Sequence, residues 1–174
     1  MVRPGGGRGG YGPREEVVAV RVGAVRSVVV AGLLVLGAAG PAGAWAGPEA
    51  DLAYHGRVAL AKGQLRVLLV PENEGPSAVA NATLRLRLSE ELADRQELAA
   101  GCARVGPREV VCETGPLPEH GRGRHIGLVL GFRERPAEVV LTVDTWWNGG
   151  ATDRNGANNE HVVLALDTGD SYVF

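Results

Sequence analysis

Three groups of residues in this sequence have types and spacings that bear on chemistry. Two cysteines lie ten positions apart, two tryptophans are adjacent, and an oxygen-rich segment lies near the C-terminus. The sequence contains no G-x-S-x-G nucleophile elbow, no H-E-x-x-H zinc motif and no glycine-rich loop between a strand and a helix that would cradle phosphate. We therefore expect a protein that is not an enzyme and that needs no cofactor.

The cysteines bracket a predicted hairpin with its loop at Gly106-Pro107-Arg108. With that loop, Val105 lies opposite Glu109, and Cys102 lies opposite Cys112. Directly opposed residues of a non-hydrogen-bonded antiparallel pair have Cβ atoms close enough for a disulfide. We predict this bridge, which an oxidising compartment would preserve. Free buried thiols are the alternative, and a zinc site is disfavoured because no histidine is nearby.

Trp146 and Trp147 are followed by a turn signal, Asn148-Gly149-Gly150. We favour the interpretation that both rings cover one end of the sandwich. The alternative is a binding site: neighbouring residues of a strand point to opposite faces, so a binding role predicts one ring in the core and the other exposed. An exposed ring beside this turn would stack on a sugar or on an apolar partner.

The oxygen-rich segment contains Asp153, Asn155 and Asn158, whose side chains are ligands that Ca²⁺ accepts. Its glycine does not stand at the sixth position that an EF-hand loop requires. Asp and Asn side chains also close turns by bonding their own backbone. We expect turn chemistry and no metal, with calcium as the weaker alternative.

The elements that must position these residues are strands. Thr83 to Leu88 alternates leucine with polar residues, which is typical of a strand with one buried face. Ser89 to Ala100 lacks an apolar stripe at helical spacing and is interpreted as a loop with at most one helical turn. Further β-rich runs are predicted at Val58–Leu60, Leu65–Val70, Val110–Val111, Ile126–Phe132, Val139–Val143 and His161–Leu166. About seven short strands separated by turns predict an all-β, immunoglobulin-like antiparallel sandwich over residues 47–174.

Residues 1–46 are predicted to be a disordered N-terminus and a secretory signal peptide with a helical apolar core. Arginines precede the apolar run Val28 to Ala39, and Ala44-Trp45-Ala46 forms a small–x–small exit. The run is shorter than the ~20 residues of a spanning helix, so we expect cleavage near Ala46 and a secreted protein. A membrane anchor formed by an uncleaved segment is the alternative.

The charge of the predicted domain argues against two partner classes. Residues 1–46 hold five of the 18 basic and two of the 20 acidic residues, which leaves 13 basic against 18 acidic side chains, a net charge of −5, in residues 47–174. Such an acidic domain has no electrostatic footprint for nucleic acid and does not favour docking on anionic lipid. We expect no nucleic-acid partner, and no membrane contact beyond the signal segment.

The order of several short motifs is similar to a known family. Asn73-Glu74-Gly75-Pro76-Ser77 precedes the alternating strand, Gly101-Cys102 and Val110-Val111-Cys112 follow it, and Asp153-Arg154-Asn155-Gly156-Ala157-Asn158-Asn159 precedes the last predicted strand. This order resembles the bacterial cell-surface immunoglobulin-like repeat called domain of unknown function number eleven. The resemblance covers roughly residues 51–167, implies the immunoglobulin-like fold, and brings no catalytic residues. The chain departs from the family at Ser89-Glu90-Glu91 and at Trp146-Trp147, and it has a single copy of the motif set.

These observations together predict an exported bacterial binding or structural module, secreted or associated with the cell surface. An unidentified protein or a cell-wall glycan is the expected partner. The alternative is a soluble secreted inhibitor or carrier that acts on another protein through a loop such as Pro116 to His125.

Overall fold

A computed structural model describes residues 47–174, so the signal segment predicted for residues 1–46 lies outside the described residues. The described residues form strands joined by turns and loops, without a helix. Among them no helix has the length and apolar character needed to cross a membrane. The strands are β1 Glu49–Ala50, β2 Leu52–Ala61, β3 Gln64–Asn73, β4 Thr83–Leu88, β5 Cys102–Gly106, β6 Glu109–Glu113, β7 Gly121–Arg122, β8 Ile126–Gly131, β9 Glu138–Trp147, β10 Thr152–Asp153, β11 His161–Leu166 and β12 Ser171–Val173.

Two antiparallel sheets make the predicted all-β sandwich. The first has the strand order β11-β9-β4-β6-β5. The second has the order β12-β2-β3, and both β7 and β8 pair with β3. A short parallel pair, β1 with β10, lies outside both sheets. The inward-facing leucines and valines of the two sheets form one buried cluster, as the alternating pattern of strands such as β4 requires.

The sequence predicts strand positions well and strand lengths less well. Strand β4 and strand β11 have the predicted bounds, whereas β9 continues to Trp147 instead of ending at Val143. Ser89 to Ala100 is a loop, as predicted. Backbone bonds hold that loop at both edges, from Leu92 N–H to the Pro107 carbonyl at 2.8 Å and from Ala93 N–H to the Gly131 carbonyl at 2.9 Å.

The hairpin of β5 and β6 carries the predicted disulfide. Cys102 lies opposite Cys112 and is bonded to it, with Cα atoms 4.0 Å apart. The predicted loop is wrong by one residue, because Gly106, not Val105, lies opposite Glu109. The ladder shifts between Arg104 and Gly106, so Val105 is the extra residue of a β-bulge and a two-residue turn closes the hairpin.

A second, smaller apolar cluster closes one end of the sandwich. It consists of Ala50, Leu52, Val79, Ala82, Leu117 and Ala151. The turn that follows β9 lies at this end, since Ala151 belongs to the cluster. The end cluster therefore gives the C-terminal end of β9, and with it the tryptophan pair, a fixed support.

Candidate functional site

Trp146 and Trp147 are both exposed on the outer face of the first sheet. Their relative exposures are 56% and 49%. Leu84 pairs with Thr145 while the preceding residue, Thr83, pairs with Trp147, so Trp146 is the extra residue of a bulge. The prediction that one ring is buried is wrong for this reason: alternation of faces holds only for a regular strand, and a bulge interrupts it.

Arg85 lies over the face of the Trp146 ring. Its guanidinium carbon lies 4.8 Å from the centroid of the Trp146 ring, a cation–π distance. The same guanidinium donates hydrogen bonds of 2.8 and 3.0 Å to the two carboxylate oxygens of Asp144, and Arg87 donates a third of 2.7 Å. Donation to Asp144 raises the pKa of Arg85 above its ordinary value. The ring therefore lies against a guanidinium that two hydrogen bonds fix to Asp144.

The strand beneath the rings is fastened to the core by a buried hydroxyl pair. The Tyr54 hydroxyl, on β2 of the second sheet, lies 2.9 Å from Oγ1 of Thr145. Tyr54 is fully buried, and burial raises the pKa of its hydroxyl to about 12. The pair links the two sheets immediately before the bulge, so the backbone that carries both tryptophans is tied to the opposite sheet.

The turn after Trp147 is closed by Asn148 and two glycines. Oδ1 of Asn148 accepts the Gly150 N–H at 3.1 Å, and Nδ2 donates to the Ala151 carbonyl at 2.7 Å. Gly149 has a φ of +75°, and a Cβ added there would meet the side chain of Val79. Only glycine satisfies both the left-handed backbone and this close approach. Close packing against Val79 thus explains why the first glycine of this turn, Gly149, is required.

An open cleft of about 350 Å³ lies beside the rings. It is lined by Thr145, Trp146, Trp147, Asn148, Asp153, Gly156 and Asn159. Two indole surfaces and several amide, hydroxyl and carboxylate groups therefore meet at one place. Because the cleft is open to solvent, it can contact one side of a ligand without enclosing it.

Two of the three calcium candidates, Asp153 and Asn158, bond protein groups through their side chains, although the buried Oδ1 of Asn158 has no hydrogen-bond partner. Asp153 accepts the Asn155 N–H on Oδ1 at 2.9 Å and the Leu52 N–H on Oδ2 at 3.1 Å. Nδ2 of Asn158 donates to Asp51 at 2.8 Å. The contact from Asp153 to Asn155 is an Asx turn, the chemistry that the sequence favours here. Nδ2 of Asn159 donates a hydrogen bond of 2.8 Å to Oδ2 of Asp153. Asn158 bonds a different carboxylate, that of Asp51.

A group of metal-ligating side chains that the sequence analysis did not single out lies on the outer face of the second sheet. Ligand atoms of His55, Glu72 and Glu74 all lie within 4.8 Å of one another. Glu72 is already paired with Arg122 at 2.7 Å. A cation at this group would have to compete with that guanidinium. Predicting β2 and β3 as a hairpin would have identified this group from the sequence. In that hairpin Glu72 lies opposite Ala53, and His55, two positions after Ala53, is on the same face of the sheet.

The loop from Pro116 to His125 is fastened along its length. Leu117 forms two backbone hydrogen bonds of 2.8 Å with Val79, and Arg124 donates to the carbonyls of Ala100 and Glu113. His120 has a φ of +47°, a backbone conformation that non-glycine residues rarely adopt, and its side chain is exposed. The loop thus presents two exposed histidines, His120 and His125, and only His120 has a positive φ.

Comparison of this chain with protein-family models, with curated proteins and with solved structures found no match in any of the three. Among the described residues, the exposed tryptophan pair is the feature that points most directly to a function, because large exposed aromatic side chains mark contact surfaces.

Proposed function

We propose that this chain is an exported, non-catalytic binding module that holds a cell-wall glycan on its tryptophan face. The tryptophan face is defined here as Arg85, Trp146 and Trp147 together with the adjoining cleft. The observation that carries the proposal is the exposure of two adjacent indole rings at 56% and 49% on a backbone that is fixed from three sides. Leaving two such rings in water forgoes stabilisation that burial would give, so a contact function accounts for them best.

The chemistry of the tryptophan face favours a sugar ring over a purely apolar partner. The apolar C–H face of a sugar stacks on an indole, while its hydroxyl groups need hydrogen-bonding neighbours at the ring edge. Asn148, Asp153 and Asn159 lie at that edge. The net charge of −5 for residues 47–174 adds no attraction for a polyanion, which directs the proposal to a neutral or cationic glycan.

Export is part of the proposal and has its own support. The Cys102–Cys112 disulfide is typical of proteins that fold in oxidising compartments. The resemblance to bacterial cell-surface immunoglobulin-like repeats and the apolar run before Ala46 agree with secretion. N-terminal sequencing of the exported protein is expected to begin at or near Gly47, whereas a full-length chain retained in the membrane would contradict secretion.

The experiment is co-sedimentation with insoluble bacterial cell wall. The unaltered protein is expected to sediment with the wall, and Trp146→Ala and Trp147→Ala are each expected to weaken binding on the order of tenfold or more, because aromatic anchors dominate interfaces. Val129→Ala is the matched control, since Val129 is 49% exposed on the second sheet. Absence of binding by the unaltered protein, or equal binding by the tryptophan variants, contradicts the proposal.

A soluble inhibitor or carrier is the second candidate, and His120 is the observation that favours it. An exposed side chain on a strained and rigid backbone is a common feature of loops that insert into a partner. A 1:1 soluble complex with an exported protease, lost in His120→Ala and kept in Trp147→Ala, would favour this candidate over the glycan-binding module.

A further inference from the structure

Strand β11 presents an unbroken apolar row to solvent. Val162, Leu164 and Leu166 share the outer face of the first sheet, with relative exposures of 68%, 47% and 39%. Strand β11 is also the edge strand of that sheet, since β9 is its only strand neighbour there. One strand therefore combines an exposed apolar face with a sheet edge.

The backbone of these same three residues points away from the sheet. The hydrogen bond from Asp167 N–H to the Ala137 carbonyl, at 2.8 Å, shows that odd-numbered residues of this segment bond toward β9. In an antiparallel ladder the bonding direction alternates, so Val162, Leu164 and Leu166 direct their N–H and C=O groups away from β9. The Leu166 carbonyl already accepts the Thr168 N–H at 2.7 Å, so the groups that this edge offers to a new strand are those of Val162 and Leu164 and the Leu166 N–H. Unpaired backbone groups of this kind are a template for another strand.

The other long edges of the sandwich carry features that discourage pairing. Strand β5 contains Arg104 and a bulge at Val105. The end of β8 is covered, because the Gln96 amide bonds both the N–H and the C=O of Gly131. Strand β12 has only three residues. Strand β11 has six residues with no Arg, Lys, Asp, Glu, Pro or bulge, so it lacks these protections against strand addition.

We propose that β11 pairs with β11 of a second copy of this chain. The strands run antiparallel about a two-fold axis through Leu164, so that Leu164 faces Leu164 of the second copy and Val162 faces Leu166. Both members of each pair direct their backbone groups to the edge, as a hydrogen-bonded pair requires. The first sheets of the two copies join into one sheet, and their two tryptophan faces lie on the same side of it.

A second copy fits this edge because the apolar row meets the same row about the two-fold axis without like charges. The strand has no Arg, Lys, Asp or Glu to repel its own copy, and Asp167, which follows it, is already paired with Arg135 at 2.8 Å. Slipping the register by one hydrogen-bonding step toward Glu160 would place Glu160 opposite Leu166 and bring a carboxylate against an apolar side chain. The contact is small beside the roughly 1,000 Å² of a firm interface, so we expect association with a dissociation constant in the micromolar range.

The experiment is sedimentation velocity of the purified protein over concentrations from the low micromolar to the near millimolar range. The unaltered protein is expected to shift from monomer to dimer. Leu164→Lys is expected to stay monomeric, because two ammonium groups would meet at the axis, and Leu164→Glu is expected to do the same. An equal mixture of the two variants is expected to recover dimers, because opposite charges then face each other.

Val129→Lys is the control, since it places the same charge on an exposed valine of the other sheet and should leave dimerisation unchanged. Far-ultraviolet circular dichroism verifies that each variant keeps its strands. A protein that stays monomeric at every concentration, a Leu164→Lys variant that dimerises normally, or a mixture that fails to recover dimers would each overturn the proposal.

Discussion

The guanidinium carbon of Arg85 lies 4.8 Å from the centroid of the Trp146 ring, while its nitrogens donate two hydrogen bonds to Asp144. One side chain thus connects the aromatic surface to the charged network beside it. Arg85 is therefore a positioning residue for Trp146, whose orientation depends on an ion pair between Arg85 on the neighbouring strand β4 and Asp144 on β9 itself.

Arg85→Ala is expected to weaken binding to cell wall several-fold and to lower the free energy of unfolding by about 1–2 kcal/mol, because it removes the cation–π contact and leaves Asp144 with only Arg87. Arg85→Lys should recover part of the stability, since it keeps the charge but not the two-pronged contact. Binding isotherms and urea unfolding measure the two effects. Arg66→Ala, on the exposed face of the second sheet, is the control and should change neither.

Gly149→Ala and Gly150→Ala form a matched pair that tests the turn after Trp147. Both glycines have positive φ, at +75° and +77°, but only a Cβ at Gly149 meets neighbouring atoms, those of Val79 and Asn81. We expect Gly150→Ala to cost about 1 kcal/mol of stability from backbone strain and Gly149→Ala to cost more and to displace Trp147. Thermal unfolding and wall binding measure this, and equal effects of the two substitutions would argue against the packing role of Gly149.

The raised pKa of Tyr54 leads us to expect that the free energy of unfolding falls at alkaline pH. The hydroxyl titrates near 10 in an unfolded chain and near 12 in the folded protein, because burial disfavours the phenolate. Above pH 10 the unfolded chain loses this proton first, so the stabilisation is complete below that pH and is lost as the pH rises toward 12. The expected loss is about 2–3 kcal/mol.

Tyr54→Phe isolates this effect, because phenylalanine does not titrate. Urea midpoints measured between about pH 9 and pH 12 should fall more steeply for the unaltered protein than for Tyr54→Phe. At neutral pH the variant should be slightly less stable, because Thr145 loses its hydroxyl partner. Parallel pH curves for the two proteins would contradict the buried, shifted hydroxyl.

The disulfide is expected to stabilise the fold without being needed for it. Cys102 and Cys112 close a loop of only about eleven residues, so removing the bond should cost roughly 2–3 kcal/mol through the entropy of the unfolded chain. Cys112→Ala should cost somewhat more, since the Cys112 side chain is fully buried. Urea unfolding with and without reductant measures the difference, and mass spectrometry of unreduced peptides should find the two cysteines linked. Free thiols in the native protein would refute the bridge.

The regular parts of this fold follow from local pattern. The alternation from Thr83 to Leu88 predicts strand β4 at its observed bounds, and counting across the hairpin pairs Cys102 with Cys112. Both inferences need only the two-residue period of a strand. The cysteine pairing survives the bulge at Val105 because the extra residue lies between Arg104 and Gly106, on the turn side of the disulfide.

The tryptophan face did not follow from pattern, because its geometry depends on a bulge that only the pairing of β4 with β9 creates. The Asn73-Glu74-Gly75 motif is similar, because only part of its physical reason is local. The buried Asn73 side chain accepts the N–H groups of Asp51 and Gly75 and donates to the carbonyls of Ser77 and Pro118. The bond to Gly75 is an Asx turn that a local rule predicts, whereas Asp51 and Pro118 come from distant segments that no local rule identifies.

The most direct test of the tryptophan face is acrylamide quenching of its fluorescence. In a Trp45→Phe protein only Trp146 and Trp147 emit. We expect efficient quenching in the free protein, because both rings are about half exposed. When the protein is saturated with soluble cell-wall glycan, we expect both rings to be strongly protected from acrylamide. Shielding of both rings in the free protein, or quenching that is unchanged when the glycan is bound, would contradict this expectation.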